Sequence, residues 1–129
     1  RKPVEFTYKD HKIISMTLPA SGGICLAQIL KSVALYDLSE IEHNSTKYVQ
    51  LLTEAERRSF ADRTNFLGDI DFVKVPIDSL TSTNYIKQRM RTFSWDKATP
   101  SSDVSHGKVL GYESDETTHY SIVDQFGNA

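Results

Sequence analysis

The stretch Glu116-Thr117-Thr118-His119-Tyr120-Ser121-Ile122-Val123-Asp124 decides how this chain is read. A polar, acidic run, Glu113-Ser114-Asp115-Glu116, gives way there to a strand-like segment. Two threonines sit at the junction. A threonine hydroxyl in such a place becomes an N-terminal nucleophile if the backbone is cut just before it, because the freed α-amine then serves as its base. On residue pattern alone the plainer reading is commoner: β-branched residues opening a strand. If both threonines lie on a strand, Thr118 faces away from Thr117, while His119 and Ser121 share its face. Strand packing is the expected role of His119, since the amine of a cut Thr117 lies closer to its own hydroxyl.

Working back from this junction, residues 97–116 show no sustained helical or strand period. Ala98-Thr99-Pro100-Ser101-Ser102-Asp103 is small, polar and proline-containing, which predicts an exposed linker. From about Ala98 onward the chain is expected to be mobile or paired with another chain. A short helix is predicted from about Asn84 to Arg91, with Asn84 as cap and with Phe93 and Trp95 packing its end. Before it lies a loop, Gly68-Asp69-Ile70-Asp71, followed by Val73-Lys74-Val75-Pro76. A longer helix opens at Asn44-Ser45, both good N-cap residues. Tyr48, Leu51, Leu52 and Ala55 mark its apolar face, and it runs to about Asp62. Leu26, Ile29, Leu30 and Val33 follow the i, i+3, i+4, i+7 rule of another helix, which Ser21 would cap. Val4-Glu5-Phe6-Thr7-Tyr8 alternates apolar and polar residues. With Lys9-Asp10-His11 as turn and residues 12–16 returning, it reads as a β-hairpin.

Composition excludes several classes. The chain has 129 residues, 39% hydrophobic and 25% charged, enough for one domain with a core. The net charge of -2 gives no global basic field for nucleic acid. No run approaches the roughly 18 apolar residues of a membrane span. Arg1-Lys2-Pro3-Val4-Glu5 has no signal-peptide character and begins abruptly, as a piece of a longer protein would. The single Cys25 excludes an internal disulfide and is expected to be a small buried hydrophobe within its helix.

Other chemistry-bearing groups have structural explanations. Asp69 and Asp71 resemble a metal pair, but two loop carboxylates more often cap or solvate a turn. His11, His43, His106 and His119 show no close ligand spacing. Gly22-Gly23 fits a permissive turn better than an anion cradle. Arg57, Arg58 and Arg63 read as a basic helix end facing the helix macrodipole.

Four motifs, in order, resemble γ-glutamyltransferase, a family of N-terminal-nucleophile hydrolases. Pro19-Ala20-Ser21-Gly22-Gly23 resembles its P-S-S-G-G turn, with Ala20 in place of the first serine. Ser59-Phe60-Ala61-Asp62-Arg63 resembles the A-F-A-D-R end of a long helix. Leu67-Gly68-Asp69-Ile70-Asp71-Phe72 resembles L-G-D-P-D-F, with Ile70 replacing proline. Thr117 to Ser121, then Val123-Asp124 and Gly127-Asn128-Ala129, resembles the start of the small catalytic subunit.

The resemblance implies an α+β chain, mainly helical here, belonging to a four-layer αββα sandwich. Residues 1–97 would form a hairpin and helical lobe of the large subunit. Residues 98–116 would form a linker ending at a self-processing bond, Glu116–Thr117. Residues 117–129 would begin the small subunit, their strand an open edge without its sheet neighbours. Thr117 would be the nucleophile of both self-cleavage and turnover. Substrate contacts, including the arginine that clamps the substrate carboxylate, are expected outside this chain, which alone would be inactive. No metal or cofactor is implied. The implied partners are glutathione or other γ-glutamyl compounds and the remainder of both subunits. Location follows the family alone: periplasmic or extracellular.

Three functions stand at this stage. One is γ-glutamyl transfer or hydrolysis. Another is a related acylase with the same nucleophile, acting on cephalosporins or poly-γ-glutamate. The third is a non-enzymatic helical interaction module.

Overall fold

A computed structural model describes residues 1–112 and 125–126. The expected first strand of the small subunit, and with it Glu116 and Thr117, lies outside the described residues. Within them the chain is a small α+β unit of one two-stranded sheet and four α-helices.

The hairpin forms as its alternation predicts. Strand β1, Val4–Tyr8, pairs antiparallel with β2, His11–Ser15, in the register Val4↔Ser15 to Tyr8↔His11. His11 therefore belongs to the second strand and not to the turn. Lys9 and Asp10 alone close the loop, and Lys9 takes a left-handed φ of 50° to do so. Val4 and Phe6 face inward and join Leu18, Ile24 and Ala27 in a first core cluster.

Helix α1, Gly22–Val33, crosses behind the hairpin and packs on both it and the second helix. The expected apolar stripe is corrected. Ile24, Cys25, Ala27, Gln28, Ser32 and Val33 are buried, whereas Leu26 is exposed and Ile29 and Leu30 only half-buried. Gly23 is buried with them, where neighbouring backbone comes close. A Cβ added at Gly23 would collide with the Met16 carbonyl. Ser21 sits at the N-cap position without capping, and its Oγ instead accepts from Arg63 Nε at 2.8 Å.

Helix α2, Thr46–Phe66, is the spine of the lobe. Ser45 caps it, accepting from the Tyr48 amide at 3.2 Å. It continues four residues past Asp62, so Arg57 and Arg58 lie mid-helix and only Arg63 sits in the last turn. The expectation of a basic helix end therefore fails for Arg57 and Arg58. Leu51 and Ala55 join Val33 and Met90 in a second cluster.

After Phe66 the chain turns through Asp69–Asp71 into α3, Ile77–Leu80, and α4, Thr83–Met90. The cap of α4 is Ser82, whose Oγ accepts from the Tyr85 amide; Asn84 lies inside the first turn. Phe66, Leu80, Tyr85 and Ile86 form a third cluster. Phe93 and Trp95 meet edge-on at 4.7 Å, and both meet Tyr36, closing the end of α4 as expected.

Residues 98–112 are largely exposed, but they are not loose. Side chains of α2 and α4 hold them at several points, and Tyr112 lies against Phe66 with ring centroids 5.1 Å apart.

Candidate functional site

Two polar clusters on α2 hydrogen-bond the chain between Thr99 and Gly107. Glu54, Arg58 and Asp62 stand four residues apart, in phase with Leu51 and Ala55, so the helix turns all of them inward. Each is at most 4% exposed. Buried charges survive only when paired and hydrogen-bonded, and each of these is.

The first cluster is built around Glu54. Its Oε1 accepts from Arg57 at 2.8 Å and from the Thr99 amide at 3.1 Å. Its Oε2 accepts from Arg58 in a short contact and from the Thr99 hydroxyl at 2.6 Å. Arg58 also donates to the Arg89 carbonyl at 2.8 Å and to the hydroxyls of Thr92 and Thr99. Arg57 donates to the Thr99 carbonyl at 2.7 Å. Burial pushes the Glu54 carboxyl up, but the hydrogen bonds from Arg58 and Thr99 outweigh it and hold the group below its ordinary value.

The second cluster is built around Asp62. Oδ2 accepts from Gln28 Nε2 at 3.0 Å, and Oδ1 accepts from the Gly107 amide at 2.8 Å. Arg89 lies 3.2 Å from Oδ1 and donates to the Ser105 carbonyl at 2.7 Å. Here burial prevails over Arg89 and raises the Asp62 carboxyl. Gly107 is a close approach: a Cβ would collide with the Tyr85 hydroxyl and stand 2.7 Å from Arg89 Cδ. The Tyr85 hydroxyl is buried beside this carboxylate, and burial pushes its pKa up, making the phenol a weaker acid.

The other singled-out residues have structural places. Arg1 bridges Asp69 at 3.0 Å and Asp71 in a shorter contact, tying the chain start to the loop after α2. Among the described residues no cluster of three His, Cys, Asp or Glu side chains is placed to hold a metal. No described helix is long and apolar enough to cross a membrane. Gly22 and Gly23 begin α1, and Cys25 is buried. A groove of about 660 Å³ opens between β1, α3 and residues 109–112, with Lys2, Glu5, Lys74, Asp78 and Tyr112 among its lining. Its charges are of both signs, so it selects no simple anion or cation. The expected nucleophile Thr117 and the bond to Glu116 lie outside the described residues; Tyr112, the last described residue before them, is four positions from Glu116.

The chain belongs to the gamma-glutamyltranspeptidase family, whose model matches residues 1–129. It is 43% identical over 129 residues to the glutathione hydrolase proenzyme of Escherichia coli K12, covering all of this chain and 22% of that protein. It is 42% identical to the glutathione hydrolase proenzyme of Pseudomonas aeruginosa, covering 23% of it. The acylase ACY 1 proenzyme of Pseudomonas sp. V22 is 34% identical over 128 residues, of which the chain spans 22%. Among solved structures, Helicobacter pylori gamma-glutamyltranspeptidase superposes with a TM-score of 0.82 at 40% identity, over 90% of this chain and 33% of that one. The chain thus spans about a fifth of the length of the curated relatives it matches.

Sequence patterns missed the two gripping clusters. The signal was present: Glu54, Arg58 and Asp62 fall in phase with the apolar face of α2, where exposed charges do not belong.

Proposed function

We propose that the protein carrying this chain is a glutathione hydrolase and γ-glutamyltransferase that uses Thr117 as its nucleophile. The observation that carries the reading is the family match over residues 1–129, which includes the Thr117-Thr118 junction. In the precursor, Thr117 Oγ attacks the Glu116 carbonyl. The C–N bond breaks as the nitrogen takes up a proton, leaving an ester. Water then hydrolyses the ester to the Glu116 carboxylate, and Thr117 keeps a free α-amine.

That amine has an ordinary pKa of about 7.7–8.0, suited to taking the Thr117 hydroxyl proton near neutral pH. The mature hydroxyl attacks a γ-glutamyl amide and expels the amine. The resulting acyl-enzyme passes the γ-glutamyl group to water, an amino acid or a peptide. The division into a lobe over residues 1–97, a linker over 98–116 and a small-subunit start at 117 belongs to the same proposal. So do the four-layer αββα sandwich and a periplasmic or extracellular location.

The relatives named glutathione hydrolase at 43% and 42% identity favour this reading over the acylase, whose named relative stands at 34%. A non-enzymatic helical module is not favoured by a family of enzymes. Thr117→Ala in the full-length protein is expected to give one uncut chain without hydrolase activity, read by intact mass and by release of γ-glutamate. A Thr117→Ala protein that still split before residue 117 would overturn the assignment.

A further inference from the structure

We infer that Glu54 and Asp62, through Thr99 and Gly107, form a clasp that registers the pre-scissile segment for self-cleavage, so that both carboxylates are positioning residues for that step. The inference rests on the self-cleavage reading above and adds a device to it.

The clasp is built where a simple linker would not need one. Two buried carboxylates of one helix each receive a backbone amide of the segment, Thr99 at 3.1 Å and Gly107 at 2.8 Å. Arginines take the segment's carbonyls: Arg57 that of Thr99, and Arg89 that of Ser105. Each carboxylate therefore has an arginine beside it that binds the same strap from the other polarity. The grip takes backbone groups of Thr99, Ser105 and Gly107 and, at Thr99, the side-chain hydroxyl as well. Gly107 adds a steric requirement, since any side chain there meets Tyr85 and Arg89.

The consequence is one of effective length. With the strap free, the scissile bond hangs from the end of α4 on about 26 residues; with Gly107 held, on about nine. The space open to a tethered end grows roughly as the 3/2 power of its length, so the clasp narrows the range of positions of the scissile bond relative to the lobe about fivefold. It also sets the direction from which the bond arrives, and attack geometry is what self-cleavage needs.

The test uses freshly synthesised full-length precursor, followed in time by mass spectrometry of the fragment beginning at Thr117. Rates are taken well below each variant's melting temperature. The double variant Thr99→Ala/Gly107→Ala is expected to cleave about fivefold or more slowly than wild type. Thr99→Ser, which keeps the hydroxyl donor, is expected to cleave at the wild-type rate. Equal rates in the double variant and wild type overturn the clasp, and so does a slowing that vanishes when stability is restored by lower temperature. Thr117→Ala runs alongside: if it still cuts, the nucleophile reading fails, whatever the clasp variants do.

Discussion

Glu54 shows how one side chain decides whether a charged helix face can be buried. Its four acceptor contacts pair with Arg57, Arg58 and the amide and hydroxyl of Thr99. Glu54→Gln leaves Arg58 buried without its counter-ion. Loss of one partner of such a pair costs about 3–5 kcal/mol, to be read from denaturant melts. The two carboxylates respond to acid with opposite signs. The folded pKa of Glu54 is depressed, so its stabilisation is complete above its ordinary value of about 4.3 and is lost as pH falls through the folded value. The folded pKa of Asp62 is raised by burial, so between its ordinary value of about 3.9 and the raised one the fold gains stability as pH falls. Asp62→Asn is expected to abolish that gain, and a stability difference from wild type that stays constant across this window would refute it.

At the scale of elements, periodicity worked wherever one face meets solvent. The hairpin alternates visibly, and α2 carries Leu51 and Ala55 where its pattern puts them. Periodicity failed for α1, which is packed by the hairpin, α2 and α4 together, so burial there does not follow one stripe. It was incomplete for α2, because a charge at an inward position looks like a polar gap until its partner is known. Arg89 and Thr99, the partners, are 27 and more residues away from Asp62 and Glu54, beyond the reach of local pattern. The caps were partly legible: Ser45 among two candidates, Ser82 not at all. Ser82→Ala is expected to cost about 1 kcal/mol and to fray the eight-residue α4 more than Ser45→Ala frays the 21-residue α2. Circular dichroism and amide exchange of the two variants would show the contrast. Gly23→Ala is expected to destabilise by about 1–3 kcal/mol, because the atom it meets is the Met16 backbone carbonyl and cannot swing aside.

At the scale of the molecule, α2 contributes Leu51 and Ala55 to one core cluster and Phe66 to another, the hairpin and α1 form a third, and the segment after α4 returns over α2. The resemblance implies Thr117 as a nucleophile, whereas the contacts on residues 98–112 need coordinates, since composition describes that stretch only as polar. Hydrogen exchange should separate the two descriptions. The Thr99 and Gly107 amides, bonded to buried carboxylates, are expected to exchange far more slowly than Ser102 and Ser105 between them. Uniformly fast exchange from 98 to 112 would show a loose tether.

Cys25 sits 6% exposed on the buried side of α1, where burial raises its thiol pKa. It is the sole sulfhydryl of these 129 residues, which makes it a gauge already installed at the seam between α1 and α2. A thiol-directed dye can reach it only when that seam parts, so its labelling rate reports the frequency of opening, without any added probe.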